Sequence, residues 1–310
     1  MYIPLFLLGL TLVVLSSDAF VDAAARLARR LRISDMVIGA TIVSLGTTLP
    51  ELTVSATASA KGLSDMAAGN IIGSVICNTA LIAGLSQAIR PARSLSCDFK
   101  SNYLFFFLCA AVFSLFAVSE LGFSRLSGAC LLALLAFYLH WSWQRAKNAA
   151  PSAIQPAGLK KGGIFSDLLI IILSVTALAF GARLLVENGS RLALAIGIPE
   201  HVVSISMIAL GTSLPELITS ITALIKGHTA LSLGNVIGAN TLNLLMVCGV
   251  SSVIRPMGLE ASLLYADLPV MIAVSLLLAL PGILKKRLYR WQGFILLAVY
   301  AGYMAYLYFL

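Results

Sequence analysis

Two glutamates, Glu51 and Glu216, lie well inside apolar stretches of the sequence, each directly after a proline. Two hydroxyl residues precede each acid by four and three positions, which on a helix places the hydroxyls and the carboxylate on one face. These hydroxyl residues are Thr47 and Thr48 in the first stretch, and Thr212 and Ser213 in the second. The spacing therefore predicts two local groups of oxygen atoms.

The prolines are expected to break both helices. Pro50 cannot donate a hydrogen bond to the carbonyl of Gly46, and Pro215 cannot donate to that of Gly211. In lipid, a freed carbonyl must find a partner or face a protein-lined or wet cavity. Further polar residues at helical spacing follow in the next apolar stretch of each half. They are Ser74 and Asn78, then Asn240 and Asn243.

Together these residues offer carboxylate, hydroxyl, amide and backbone carbonyl oxygens, with no His or Cys suited to the cluster. Ca²⁺ takes about six to eight oxygen ligands, whereas Zn²⁺ and Cu⁺ prefer imidazole or thiolate. One Ca²⁺ neutralises two carboxylates, and so do two or more monovalent ions. The pattern predicts a site for hard cations that either load can satisfy, which is the physical basis of antiport.

The composition indicates which elements must hold these acids. Of 310 residues, 59% are hydrophobic and 11% charged, against roughly 25% charged in an average soluble chain. With 21 basic and 13 acidic residues, the chain cannot cover a soluble globule of this size. We therefore predict an all-α integral membrane protein. The net charge of +8 is attributed to cytoplasmic loops rather than to a nucleic-acid surface.

A membrane helix needs about 20 mostly apolar residues, and ten segments qualify. They cover 2–25, 36–60, 66–89, 103–118, 124–143, 164–186, 201–225, 230–253, 263–282 and 288–310. The connections are short, except for a linker at 145–163 that is rich in Pro, Gly, Ser and Lys and is predicted to be a flexible loop.

The two halves of the chain repeat each other. LGTTLPEL at 45–52 recurs as LGTSLPEL at 210–217, an offset of 165, and 17 of 34 positions are identical between 45–78 and 210–243. The identities include Thr, Pro, Glu, Lys and Asn, which chance similarity between apolar helices would not place in register. We predict two five-helix repeats, at 1–144 and 164–310, joined by the linker 145–163.

An odd number of spans per repeat requires the second copy to be inverted. The distribution of basic residues supports this, because 16 of the 21 lie in the odd-numbered connections, including Arg26, Arg29, Arg30 and Arg32. The positive-inside rule then predicts a multi-pass cell-membrane protein with both termini outside and the central loop in the cytoplasm. Inverted repeats are typical of transporters, with the substrate site where the repeats meet.

The motifs GTTLPEL with GNIIGSVICN, and GTSLPEL with GNVIGANTLN, closely resemble the two alpha-repeats of the cation/Ca²⁺ exchanger superfamily. The resemblance to its prokaryotic sodium/calcium exchanger members covers essentially the whole chain. It implies that spans 2, 3, 7 and 8 form the ion-binding core, across which spans 1 and 6 slide. It also implies transport of Ca²⁺ and Na⁺, with membrane lipid as surroundings, no resident cofactor, and neither a protein partner nor nucleic acid.

The resemblance carries over a set of metal-ligand positions, among which Ser44 and Ala209 would contribute backbone carbonyls. The positions are Ser44, Thr47, Thr48, Glu51, Ser74, Asn78, Ala209, Thr212, Ser213, Glu216, Ala239, Asn240 and Asn243. Two departures accompany them, since the usual Gly-Ser-Asn appears as Gly-Ser-Val at 73–75 and as Gly-Ala-Asn at 238–240. Each repeat thus has one polar side chain fewer for monovalent ions.

The leading hypothesis is a secondary antiporter that extrudes Ca²⁺ against Na⁺, with no enzymatic activity. Two alternatives stay open. A pair of glutamates can also release protons, which allows Ca²⁺/H⁺ exchange or another pairing of monovalent and divalent cations in the same fold. A passive cation channel is the less favoured alternative. The Asp pair, Ser/His pair or zinc motif of an intramembrane protease is not found.

Overall fold

The fold is described for residues 2–92, 97–148, 163–196 and 211–309 of a computed structural model. Within these ranges, seven helices are long and apolar enough to cross a membrane, and a bent pair of helices between residues 35 and 60 raises the number to eight. The chain is therefore a helical, multi-pass membrane protein, as predicted.

The first part of the chain contains α1 (Tyr2–Leu31), α2 (Asp35–Ile38), α3 (Ser44–Thr47), α4 (Leu49–Ala60), α5 (Ser64–Ile76), α6 (Gly84–Ile89) and α7 (Cys97–Ser119). The second contains α8 (Arg125–Asn148), α9 (Ile164–Ala195), α10 (Leu214–Ile225), α11 (Thr229–Leu242), α12 (Cys248–Ile254), α13 (Leu268–Lys285) and α14 (Arg290–Phe309). Segments of π-helix lie at Gly39–Val43, Cys77–Ala83, Asn243–Val247 and Leu263–Asp267.

The all-α prediction needs one small correction. Strands β1 (Gly122–Phe123) and β2 (Met257–Gly258) pair antiparallel, with Gly122 opposite Gly258 and Phe123 opposite Met257. The pairing joins two short connections whose peptide groups satisfy each other's hydrogen-bonding requirement. The ladder is too short to change the fold class.

Several helices run past the ends of the membrane spans predicted for them, among them α9, which continues to Ala195 rather than ending near residue 186. The first helix was expected to end near residue 25, but α1 continues to Leu31 and carries Arg26, Arg29 and Arg30 on its last turns. This extension is stabilised because Arg26 and Arg30 donate from Nε to the carboxylate of Asp167, at 2.8 and 2.6 Å. At the other boundary, α8 runs to Asn148 and so enters the predicted linker, whose residues 149–162 lie outside the described ranges.

The sequence repeat is also a repeat of secondary structure. The offset of 165 relates both ends of α4 to both ends of α10, and Leu49 and Leu214 begin the two helices. It also relates the ends of α6 and α12, at Ile89 and Ile254. Equivalent sequence segments therefore form equivalent helices around each glutamate.

The continuous helical stretches Ser64–Ile89 and Thr229–Ile254 form the centre of the bundle, since 78% and 83% of their most apolar windows are buried. The corresponding share is 28% for both α1 and α9, which are peripheral. Close crossing at the centre depends on glycine. A Cβ on Gly238 would lie 2.5 Å from the Cα of Ala40, so α11 can pack directly against the π-helical segment that precedes α3.

Candidate cation-binding site

The predicted break in the first glutamate-bearing helix is confirmed. Helix α3 ends at Thr47, α4 begins at Leu49, and the two parts are bent by 46°. Pro50 occupies the first turn of α4, where a missing N–H costs no helical hydrogen bond. Pro215 has the equivalent position in α10. Both glutamates thus lie in the first turn of a helix, where the positive end of the helix dipole favours a carboxylate.

Hydrogen bonds between the two halves of the chain hold the glutamates. Ser213 Oγ donates to Glu51 Oε1 at 3.3 Å, and Thr48 Oγ1 donates to Glu216 Oε1 at 3.3 Å. These two contacts are equivalent under the offset of 165. Both glutamates are fully buried, and within the described ranges neither Oε2 atom has a hydrogen-bond partner. The structure therefore brings the two acids and their hydroxyl neighbours into one site with free acceptor atoms.

A second pair of contacts connects the other two predicted hydroxyls to asparagines that the sequence reasoning missed. Thr47 Oγ1 donates to Asn235 Oδ1 at 3.2 Å, and Thr212 Oγ1 donates to Asn70 Oδ1 at 3.2 Å. The signal that could have identified these asparagines is the repeated Gly-Asn at 69–70 and 234–235.

The predicted amide residues lie at or beside the π-helical segments. Asn78 and Asn243 are fully buried, and neither their Oδ1 nor their Nδ2 atoms have partners among the described residues. Asn240 donates from Nδ2 to Thr79 Oγ1 at 2.7 Å and leaves its own Oδ1 without a partner. Irregular π-turns often occur at functional sites because they redirect a side chain out of the helical register.

The remaining predicted positions are less directly engaged. The carbonyl of Ser44 accepts hydrogen bonds from Thr48 N at 2.9 Å and from Thr47 Oγ1 at 3.3 Å. Ser74 and Ala239 are buried in α5 and α11. Ala209 lies outside the described residues, so its predicted role stays a prediction.

The donor set is that of a hard-cation site. Among the described residues, no group of three or more His, Cys, Asp or Glu side chains converges. The available groups are two carboxylates plus neutral hydroxyl and amide oxygens. Buried polar atoms without partners are costly in low dielectric, and a cation is the ligand that the unpartnered Oε2 and Oδ1 atoms can bind.

A cavity of about 680 Å³ approaches the site from one end of the molecule. Its wall includes Asn70 and Thr212, with Pro50 and Pro215 beside them, and it also reaches the exposed Arg183. Glu51 and Glu216 themselves are fully buried and are not part of the cavity wall.

The opposite end of α10 is closed by contacts with α1. Lys226 Nζ lies 2.7 Å from carboxylate oxygens of both Asp18 and Asp22. One turn deeper, Ser17 Oγ donates to Thr222 Oγ1 at 3.0 Å. We call these contacts the Lys226 latch. They connect the C-terminal end of α10 to α1.

Comparison with known proteins agrees with this geometry. A family model described as sodium/calcium exchanger protein matches residues 1–144 and 166–309. An uncharacterized membrane protein of Methanocaldococcus jannaschii is 36% identical over 298 residues, covering 95% of this chain and 94% of its own. The sodium/calcium exchanger MaX1 of Methanosarcina acetivorans is 29% identical, covering 99% and 98%.

Solved structures of the sodium-calcium exchanger NCX_Mj superpose on this fold with TM-scores of 0.85–0.86 at 33–34% identity, covering 98–99% of this chain and 97–99% of theirs. One of these structures was obtained with both Na⁺ and Ca²⁺. The family match spans both halves of the chain and includes both glutamate motifs. The chain therefore belongs to the sodium/calcium exchanger family.

Proposed function

We propose that this protein is a secondary antiporter that exchanges Na⁺ for Ca²⁺ across the cell membrane by alternating access and normally extrudes Ca²⁺. The observation that carries the proposal is the pair of buried glutamates, Glu51 and Glu216, each held by a hydroxyl from the other half of the chain. The cycle needs only Ca²⁺, Na⁺ and a lipid membrane, without a resident cofactor, a nucleic acid or a protein partner.

Charge explains why the two loads would compete. Leaving two carboxylates buried without counter-charge costs several kcal/mol per ion. One Ca²⁺ or at least two Na⁺ remove that penalty, and oxygen ligands suit both ions. A site that must be neutralised before it crosses the membrane couples the movement of one ion to that of the other.

We propose ten membrane spans arranged as two inverted five-helix repeats, at 1–144 and 164–310, with the cytoplasmic linker 145–163 between them. The equivalent bounds of α4 and α10 support the duplication. The 16 basic residues on one side support an arrangement with both termini outside. In this topology the cavity opens to the exterior and the Lys226 latch faces the cytoplasm.

We propose that the ions are held by the set Ser44, Thr47, Thr48, Glu51, Ser74, Asn78, Ala209, Thr212, Ser213, Glu216, Ala239, Asn240 and Asn243. The free acceptor atoms of Glu51, Glu216, Asn78, Asn240 and Asn243 support the central part of this set. Ser44 and Ala209 would supply carbonyls, and Ala239, which has no polar side chain, could supply only its backbone.

The test is Ca²⁺ uptake into inside-out vesicles driven by an imposed Na⁺ gradient. We expect uptake in the wild type and none in Glu51→Gln, because one carboxylate cannot balance a divalent ion. Glu120→Gln is the matched control, since Glu120 is exposed and caps the short turn before α8 by accepting from Ser124 N at 2.8 Å. Undiminished uptake in Glu51→Gln would overturn the site.

The same vesicles separate the alternatives. Uptake that follows a proton gradient without Na⁺ would establish Ca²⁺/H⁺ exchange. Flux that needs no counter-ion and rises linearly with voltage would establish a channel. Either result contradicts Na⁺ coupling while leaving the position of the glutamates untouched.

A further inference from the structure

Asn70 connects the two halves of the chain through a directional series of hydrogen bonds. Its Oδ1 accepts the proton of Thr212, and its Nδ2 donates to Ser55 Oγ at 2.8 Å and to the carbonyl of Glu51 at 3.3 Å. Ser55 in turn donates to the carbonyl of Ala67 at 3.3 Å. Because Ser55 donates its only proton to Ala67, its oxygen must accept from the amide, which fixes the orientation of Asn70.

Asn235 repeats this arrangement from the other half. Its Oδ1 accepts from Thr47 Oγ1 at 3.2 Å, a hydroxyl that shares its proton with the carbonyl of Ser44 at 3.3 Å, and its Nδ2 donates to Ser220 Oγ at 3.1 Å. The offset of 165 relates Asn70 to Asn235 and Ser55 to Ser220, and it also relates the two threonines to each other. Each asparagine thus donates from Nδ2 to a residue of its own half of the chain, and its Oδ1 accepts from a threonine of the other half.

The chemical effect is on the threonine oxygens. A hydroxyl has one proton and two acceptor lone pairs. When the proton is committed to an asparagine carbonyl, the oxygen can present only lone pairs to its remaining surroundings. A threonine held in this way can accept a cation on its free lone pairs.

We propose that Asn70 and Asn235 are positioning residues for ion binding, each fixing the threonine hydroxyl of the opposite half as an acceptor toward the cation. The proposal deepens the exchange function proposed above and rests on it. The proposal also predicts that the two asparagines act on ions arriving from opposite sides of the membrane. Asn70 and Thr212 line the open cavity, whereas Asn235 and Thr47 are sealed within the protein.

The test is a double-mutant cycle of Asn70→Leu with Thr212→Val, read as the apparent Km for Ca²⁺ in exchange and as Ca²⁺ affinity by titration calorimetry in detergent. Leu has the same branching and number of heavy atoms as Asn but cannot accept the proton. We expect Asn70→Leu to weaken Ca²⁺ binding about tenfold. It should have little further effect once Thr212→Val has removed the hydroxyl, because the asparagine acts through that group.

Two variants separate positioning from general structure. Asn70→Asp keeps the acceptor for Thr212 and should recover part of the affinity that Asn70→Leu loses. Asn188→Leu is the matched control, since Asn188 is a buried asparagine on α9 that donates within its own helix, to Leu184 O at 2.8 Å. Size-exclusion profiles and melting temperatures identify variants that have lost the fold, and Thr212→Ala, which also lacks the hydroxyl, then replaces Thr212→Val in the cycle.

Comparing the Km for Ca²⁺ on the two sides of the membrane gives an independent test. In right-side-out vesicles Asn70→Leu should raise the Km for external Ca²⁺ more than Asn235→Leu does, and inside-out vesicles should reverse the order. If the wild type exchanges normally, additive effects in the cycle or a Km of Asn70→Leu equal to that of the wild type would overturn this inference. The proposed function would not be affected. A wild type that binds Ca²⁺ without exchanging it contradicts the proposed function, and the calorimetric cycle still decides the role of Asn70.

Discussion

At the scale of single residues, the position of each carboxylate is set by a residue from the other half of the chain. Thr48 holds Glu216 and Ser213 holds Glu51, so neither glutamate is oriented by its own repeat alone. A hydrogen bond to a charged group contributes more than one between neutral groups. The geometry of the site therefore depends on how the two halves fit together as much as on the identity of the acids.

Shortening a glutamate tests this dependence. Glu216→Asp preserves the charge but withdraws the carboxylate by one methylene from Thr48, so we expect the apparent affinity for Ca²⁺ to fall about tenfold. The measurement is the Km for Ca²⁺ in Na⁺-driven exchange. Glu120→Asp, in the exposed turn before α8, is the control for the substitution itself. A Km within twofold of the wild type would show that charge matters and position does not.

At the scale of elements, helix α11 reaches the site because its small residues allow it to lie against the backbone before α3. A side chain on Gly238 would collide with Ala40 and with Ser44 Oγ, both at 2.5 Å.

We expect Gly238→Val to lower the stability in detergent by about 1–3 kcal/mol through overpacking. Thermal unfolding measures it. Gly302→Ala on α14 should not lose stability, because an added Cβ there would meet no neighbouring atom of the described residues within 4 Å. Equal melting temperatures for the two variants would contradict the close crossing.

The Lys226 latch connects two other elements, α1 and α10. Partial burial lowers the pKa of Lys226, but its hydrogen bonds to Asp18 and Asp22 more than offset this and hold the pKa above its ordinary value of 10.5. The lysine's contribution to the latch is thus present below pH 10.5 and is lost only as the pH rises through the raised value. Near neutral pH the latch responds to salt rather than to protons.

Removing the latch should favour opening on its side. Since its acids are about half exposed, we expect Lys226→Met to shift the conformational equilibrium by no more than about 1 kcal/mol. The apparent affinity at the latch side should rise up to about fivefold, measured in inside-out vesicles at low ionic strength. Lys61→Met, the equivalent lysine of the first half, is the control. The two variants behaving alike would show that the latch has no effect.

At the scale of the whole molecule, α1 and α9 form one unit that rests against the central helices. Arg26 and Arg30 share the carboxylate of Asp167, and Gly9 and Gly181 allow the two helices to cross closely. The unit is joined to α10 at one end, through Ser17 and the Lys226 latch. Opening that end requires the unit to move relative to α10.

A cross-link tests this movement. Ser17 Oγ and Thr222 Oγ1 are 3.0 Å apart, so cysteines at both positions should form a disulfide in a background without the native cysteines. We expect oxidation of Ser17→Cys/Thr222→Cys to abolish exchange and reduction to restore it. The two single variants control for the substitutions. Full exchange in the oxidised protein would show that α1 does not separate from α10.

The sequence predicts the features that depend on local pattern. Glu51, Glu216 and the prolines before them are recognisable because charge and helix breakers are rare in apolar segments. The partners of those residues were harder to predict. The contact of Asn70 with Thr212 joins positions 142 apart and depends on packing, and the extension of α1 past residue 25 depends on a salt bridge with Asp167. Neither leaves a periodic trace in the sequence.

The two unpartnered Oε2 atoms have a consequence for leakage. A carrier that crosses the membrane with its glutamates charged and bare must keep both carboxylates in low dielectric, at several kcal/mol each. We therefore expect the return of an empty carrier to be slow, and a Ca²⁺ ion to be moved only rarely without its counter-ions. The unpartnered Oε2 atoms that make the site receptive to a cation thus also limit slippage. Slippage is the uncoupled loss of a stored ion gradient.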